Sequence, residues 1–587
     1  MGLYIFIFIC SILSLGTSRP ASPDGRYYPF CRGCRHFAIA LTEAIRSNQT
    51  FITIRPVLIN ACEDVLSAAH FRGHVICPGL VDLYAPPSLY ILSQAYFAPD
   101  ELCEKLEFCP TTYRQENGIL ERNSIKLVND RHDLVRKREF GVDSDARVSV
   151  DSDARVSVDS DARVSVDSDA RVSAQLAPIR ILQLTDIHLD HRYQEGAATD
   201  CGMIICCREG VDGSGRAGKY GDYSCDLPVA TLESLTHHLR HLDPQPDFVI
   251  YTGDTPTHDI WNKTLGEQIG STHFLVDFLS ANLPGLTIYP TMGNHETFPD
   301  NLYYSLKDGK FTAEIATLWQ HWVKLPDDAV MTIRSGGYYT MLIRPGLRLM
   351  SINTEFGYQF NFYTLLNKQT PQYFEQQRWM DSTLSEAARN GEKVLIIGHV
   401  PPGQITSVES FGDFYVPLVA QYKDVIVGQI FGHSHEDQFQ VVHSDGHPSG
   451  VIHIAPSVTP YPHINPSYRV YLIDPETFKI IDYQQYHINL AEANNLAKRN
   501  QTDWIKWQLA YTAMSEYDLP DLTAESWWKL IERFQQDDHL FTKYRRNTLA
   551  QSCTHKSCFT LPKPFVICSA QSASKKQLLN CLFNGYL

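Results

Sequence analysis

Five short motifs follow one another along this chain, each directly after an apolar, strand-like run: Leu-Thr-Asp186-Ile-His188, Tyr-Thr-Gly253-Asp254, Met-Gly-Asn294-His295-Glu296, Gly398-His399 and Gly432-His433-Ser-His435. In an α/β sheet the loops at the carboxyl ends of the strands line one crevice, so these groups can converge although they are distant in sequence. The surrounding pattern agrees. Ile179–Leu184 reads as a buried strand, residues 229–242 as a helix, 247–251 as a strand, 268–279 as a helix and 286–290 as a strand. That alternation predicts an α/β layer. Glycine ahead of a ligand-type residue is expected to let the backbone turn sharply there.

Taken singly, an Asp-x-His reads as a capped turn and a Gly-His-x-His as a surface loop; five such motifs in order are not a chance match. They supply carboxylate, imidazole and amide donors without a cysteine, which suits two divalent ions such as zinc, manganese or iron sharing one carboxylate. The pattern resembles that of the calcineurin-like metallophosphoesterases. The resemblance implies an α/β sandwich of two sheets flanked by helices. It also implies that Asp186, His188, Asp254 and His435 hold one ion, while Asp254, Asn294, His399 and His433 hold the other. Two cations about 3.5 to 4 Å apart activate water and neutralise phosphate oxygens during in-line attack. His295, beside Asn294, is then the natural general acid for the departing alkoxide, with His258 as the second leaving-group candidate. His191 and His463 read equally well as hydrogen-bonded loop histidines.

The first 18 residues form an apolar stretch ending in small residues before Arg19-Pro20, which suits a cleaved signal peptide and is shorter than the roughly 20 residues a membrane span needs. Beyond Cys10, the remaining cysteines fall into three even clusters, so disulfides are the default in an oxidising compartment. Sequons at Asn48, Asn262 and Asn500 agree with passage through the secretory pathway. Residues 25–113 hold six cysteines among apolar residues at helical spacing, a framework with fifteen possible pairings. In residues 114–177 the composition shifts to charge, and four copies of Val-Asp-Ser-Asp-Ala-Arg-Val-Ser occupy residues 142–173. A unit whose apolar residues are only Val and Ala buries too little to offset chain entropy, so it reads as a disordered spacer. The catalytic domain is expected over 178–487, followed over 488–587 by a helical, Trp-rich C-terminal subdomain.

The cysteine pattern of residues 25–113 resembles a saposin B-type domain, which implies Cys31–Cys109, Cys34–Cys103 and Cys62–Cys77. The stretch Asp186-Ile-His188-Leu-Asp190-His191-Arg-Tyr, the Cys201 to Cys225 cluster, Gly253-Asp254-Thr-Pro-Thr-His258-Asp-Ile-Trp261 and Asn465-Pro-Ser-Tyr468-Arg-Val-Tyr471 resemble the acid sphingomyelinase family. That family implies the pairs Cys201–Cys206, Cys207–Cys225, Cys553–Cys558 and Cys568–Cys581, and two zinc ions. It implies hydrolysis of sphingomyelin, in membranes or lipoproteins, to ceramide and phosphocholine. The chain departs from the family in its octapeptide array and in lacking one further cysteine pair, with Gly357 and Ile405 near those positions. Tyr461 is a candidate for choline contact through cation–π attraction. A net charge of −15 argues against a nucleic-acid partner. The expected protein is a secreted or lysosomal monomer that meets the membrane surface through its saposin domain. The alternatives are a nucleotide or phosphoramidate phosphodiesterase sharing the core, and a saposin-type lipid-binding protein without catalysis.

Overall fold

The structure is a computed structural model describing residues 51–95, 103–104, 177–304, 309–367, 371–502, 505–552 and 561–585. Strands β1 (Ile179–Leu184), β2 (Phe248–Tyr251) and β3 (Ile288–Pro290) run parallel as neighbours with every residue buried, as suits parallel strands covered on both faces. In the second half of the chain come β4 (Tyr339–Arg344), β5 (Leu347–Ser351), β6 (Lys393–Ile397), β7 (Ile426–Phe431), β8 (Gln438–Ser444) and β9 (His447–Ile454). These form a second sheet of order β4-β5-β6-β7-β9-β8, parallel through its centre with antiparallel edges. The chain then returns to the first sheet with β10 (Ser467–Ile473), β11 (Ile480–Ile488) and β12 (Trp507–Thr512), giving the order β12-β11-β10-β1-β2-β3.

One continuous apolar core holds the sheets together, with Leu182, Val249 and Tyr471 from the first and Leu349, Ile397 and Ile430 from the second. Helices Val229–Arg240 and Leu265–Asn282 pack into that core through Leu232, Leu235, Leu275 and Leu279. The second of these begins where Thr264 and Glu267 form a reciprocal capping box that satisfies its first amides. Met380 and Leu384 of helix Pro371–Asn390 and Tyr415 and Val419 of Glu409–Gln421 pack with Ile396 and Phe431 in a second cluster. The α/β sandwich is as expected, and the early elements match to within a turn at each end.

The region beyond residue 488 is helical in the main, but it contributes β12, which pairs with β11 as the outer strand of the first sheet. Trp527, Tyr517, Phe534 and Tyr544 lie in the same core as the sheets. The tryptophans that suggested a helical C-terminal subdomain are there because a strand and its following helices cover one side of the sandwich.

Toward the amino terminus, helices Phe51–Ala68 and Gly73–Ala95 are joined by the Cys62–Cys77 disulfide. Their apolar face meets Ile205, Trp261, Leu302 and Phe362 of the α/β part. Gly79 lies against the Trp261 carbonyl at a distance that a side chain would fill. Among the described residues no helix is long and apolar enough to cross a membrane. Cys103 is disulfide-bonded. The signal segment 1–18, Cys31, Cys34, Cys109, Asn48, the repeat 142–173 and the Cys553–Cys558 pair lie outside the described residues. Cys201–Cys206, Cys207–Cys225 and Cys568–Cys581 form as the resemblance implies. Asn262 and Asn500 are exposed.

Candidate metal centre

The ligand candidates leave the carboxyl ends of five strands: Asp186 and His188 after β1, Asp254 after β2, Asn294 after β3, His399 after β6, His433 and His435 after β7. Backbone geometry makes them converge. Asp186, His188, Asp254, His433 and His435 all have φ between +40 and +71°. L residues other than glycine rarely adopt that region, and such residues concentrate at functional sites. The glycines work in two different ways. Gly253 itself turns with φ +93°. Gly293 and Gly432 instead make room, since a Cβ on them would overlap Asp254 and the Thr185–Asp186 side chains. Close approach, not a sharp turn, is their reason.

Asp186 Oδ1 stands 3.3 Å from His435 Nε2 and 3.9 Å from the Nε2 atoms of His188 and His399. Asp254 Oδ2 stands 3.1 Å from His399 Nε2 and 3.5 Å from His188 Nε2, so it faces both halves of the cluster. Donor atoms about 2.1 Å from a common tetrahedral ion stand about 3.4 Å apart, and these separations are of that size. Asn294 Oδ1 lies 2.9 Å from His399 Nε2. Its amide orientation is set by Nδ2 donating to Asn301.

Three of the four candidate imidazoles are aimed from behind. Nδ1 of His188 donates to the Pro256 carbonyl, that of His399 to Thr252 and that of His435 to Tyr461, which leaves every Nε2 turned inward. His188 Nε2 is buried without a hydrogen-bond partner, a vacancy in bonding that a divalent ion would satisfy. Burial opposes a charged imidazole at His399, yet Asp254 and Asp186 outweigh it and lift its pKa to about 10. His435 moves the same way, against burial, through Asp186. The two carboxylates therefore demand positive charge beside them, and the residues fit a pair of divalent ions.

Two further histidines border the cluster. The His258 ring is 3.8 Å from that of His188 and 4.8 Å from that of His295. Burial lowers the pKa of His258, against the opposing pull of Asp226, which accepts its Nδ1–H at 2.6 Å and its backbone N–H at 2.8 Å. Burial opposes protonation of His295 too, but there Asp254 and Asp300 prevail and its pKa is raised. The two neighbouring imidazoles are thus pushed in opposite directions. The Tyr461 ring, half-buried, stands 4.9 Å from the His258 ring. His191 packs edge-on to Phe274 instead of joining the cluster, and His463 is exposed.

Several supporting residues carry no sequence signal of their own. Glu296 accepts N–H bonds from Gly293, Asp254 and Thr255, clamping two ligand loops together, and only its place in Asn-His-Glu hinted at it. Arg208 reaches Asp190 at 2.8 Å and Asp259 at 2.6 Å beneath the first loop. Asp226 follows Cys225, and Asp300 sits in an ordinary-looking loop.

Residues 179–437 match the calcineurin-like phosphoesterase family and residues 447–587 the acid sphingomyelin phosphodiesterase C-terminal region. The chain is 33% identical to sphingomyelin phosphodiesterase A of Dictyostelium discoideum over 94% of this chain and 90% of that protein. It is 37% identical to the sphingomyelin phosphodiesterase of Homo sapiens over 62% of this chain and 59% of that protein. It is 30% identical to the Homo sapiens cyclic GMP-AMP phosphodiesterase SMPDL3A over 69% of this chain and 90% of that protein. With a two-sheet sandwich, convergent ligand loops and relatives that match along nearly its whole length, the chain belongs to the acid sphingomyelin phosphodiesterase family of metal-dependent calcineurin-like phosphoesterases.

Proposed function

We propose that this protein hydrolyses sphingomyelin to ceramide and phosphocholine in a secreted or lysosomal setting. One juxtaposition carries the reading. The helical pair of the saposin-type region packs on Trp261, three residues beyond His258, so a module suited to lipid lies directly behind the leaving-group histidines. A water-soluble nucleotide would have no use for that arrangement, whereas a phosphodiester at a bilayer surface must be lifted or approached.

Asp186, His188, Asp254 and His435 would hold one ion and Asp254, Asn294, His399 and His433 the second. When bound, two divalent ions, zinc on the strength of the imidazole-rich donor set, supply the Lewis acidity that activates water and neutralises phosphoryl oxygens. His295 turns Nδ1 toward Asp300 and carries the proton for the departing ceramide alkoxide at Nε2. His258, with Nδ1 donating to Asp226, presents an Nε2 lone pair that accepts a hydrogen bond from the alcohol as it leaves. Tyr461 offers an aromatic face beside His258 for the quaternary ammonium. Asn48, Asn262 and Asn500 are the glycosylation positions in this reading.

The test is hydrolysis of sphingomyelin liposomes against ATP and a cyclic dinucleotide, from pH 4 to 8, with and without chelator. Ceramide release that chelation abolishes, and that Asp254→Asn lowers by at least about a thousandfold, is expected. Nucleotide cleavage without ceramide release would overturn the substrate, and lipid binding without turnover would overturn catalysis.

A further inference from the structure

Behind His295 and His258 lies a charged pair that the metal centre does not use. Lys263 Nζ donates to Asp300 Oδ1 at 2.7 Å and also to the carbonyl of Thr257, the residue before His258. The Lys263 and Asp300 side chains are 4% and 1% exposed. Asp300 Oδ1 is in turn 3.1 Å from His295 Nδ1, close enough for an ion pair though off line for a hydrogen bond. Gln268 closes the arrangement, donating to the His295 and Thr297 carbonyls.

A lysine and an aspartate this deeply buried cost several kcal/mol of desolvation each, and a well-packed apolar pair would serve stability as well or better. Their worth must lie in placement. Lys263 joins the loop of His258 to the loop of His295, whose rings it keeps side by side. Small displacements of groups around a reacting centre cost about a hundredfold in rate.

We propose that Lys263 and Asp300 are positioning residues that hold His295, and through Thr257 also His258, in register with the ligand loops. The proposal rests on the reading of His295 as leaving-group acid. Asp300 fixes the imidazole with Nδ1 turned away from the reaction, so that Nε2 delivers the proton. Lys263 keeps Asp300 charged and anchored.

Two phosphocholine esters separate this role from a structural one. Sphingomyelin leaves as an alkoxide that needs a proton; p-nitrophenylphosphocholine leaves as a stable phenolate that does not. For Asp300→Asn, kcat on sphingomyelin is expected to fall about 10- to 100-fold with KM nearly constant. Its kcat on the nitrophenyl ester should fall less than about threefold, which also reports that the variant is folded. His295→Gln should show the same selectivity more strongly, and adding Asp300→Asn to it should cost little more, because the two act as a unit. Where Asp300→Asn fails to fold, Lys263→Gln carries the same comparison. Equal losses on both esters, or none, overturn the proposal while leaving His295 as the acid. If His295→Gln itself shows no selectivity, the acid reading fails and the positioning role fails with it.

Discussion

Five left-handed candidate ligand residues cost about 1 to 2 kcal/mol each, so the loops that carry them must be held from several directions. The Glu296 clamp and the carbonyls behind His188, His399 and His435 do this residue by residue. Away from those loops, one buried base sets an acid limit. His453 of β9 packs among Tyr471, Tyr483 and Trp527, and burial, aided by Arg469, lowers its pKa to about 3. The unfolded chain would protonate it near 6.5. Its stabilising contribution is therefore complete above about pH 6.5 and is lost as pH falls toward 3, because the unfolded state takes the proton first. By pH 5 the loss is about 2 kcal/mol. His453→Phe is expected to flatten the decline of Tm between pH 7 and 5; an unchanged slope would show that other groups dominate.

At the scale of elements, the strands matter for where they end. β1, β2 and β3 lead into four of the seven candidate ligands, β6 and β7 into the other three, and their largely apolar sequences made them legible. β12 was not legible, because a strand that pairs only at a sheet edge reads locally like the helical segments around it. The helix Gly73–Ala95 comes closest to the α/β part at Gly79, which lies against the Trp261 carbonyl. Gly79→Val should force that helix outward at a cost of about 1 to 3 kcal/mol. Hydrogen exchange should rise within Gly73–Ala95 while the amides of β1 stay protected; equal protection in both would mean that the contact tolerates a side chain.

For the whole molecule, the metal centre lies where two sheets and five loops meet, so its occupancy reports on the entire sandwich. Ligands that bind only the native state stabilise it by mass action, about 3 kcal/mol at a hundredfold excess over Kd. Chelation is expected to lower Tm by several degrees and to do so reversibly, with recovery that tracks the logarithm of added divalent ion. A Tm indifferent to chelator would mean that the buried carboxylates and imidazoles are balanced without metal.

The sequence by itself determined the candidate donors and their order, because coordination chemistry tolerates few residue types and strands ending in Asp, Asn or His announce themselves. The cysteine pattern of residues 25–113 and the resemblance to the acid sphingomyelinase family carried the pairs Cys62–Cys77, Cys201–Cys206, Cys207–Cys225 and Cys568–Cys581. Tertiary structure alone decided that Asp226 serves His258, that Lys263 and Asp300 lie behind His295, and that Gly79 rests on Trp261. Those partners come from loops and helices whose local sequence carries no mark of the contact. A lysine or aspartate becomes meaningful only when folding removes it from water and leaves it one partner to face.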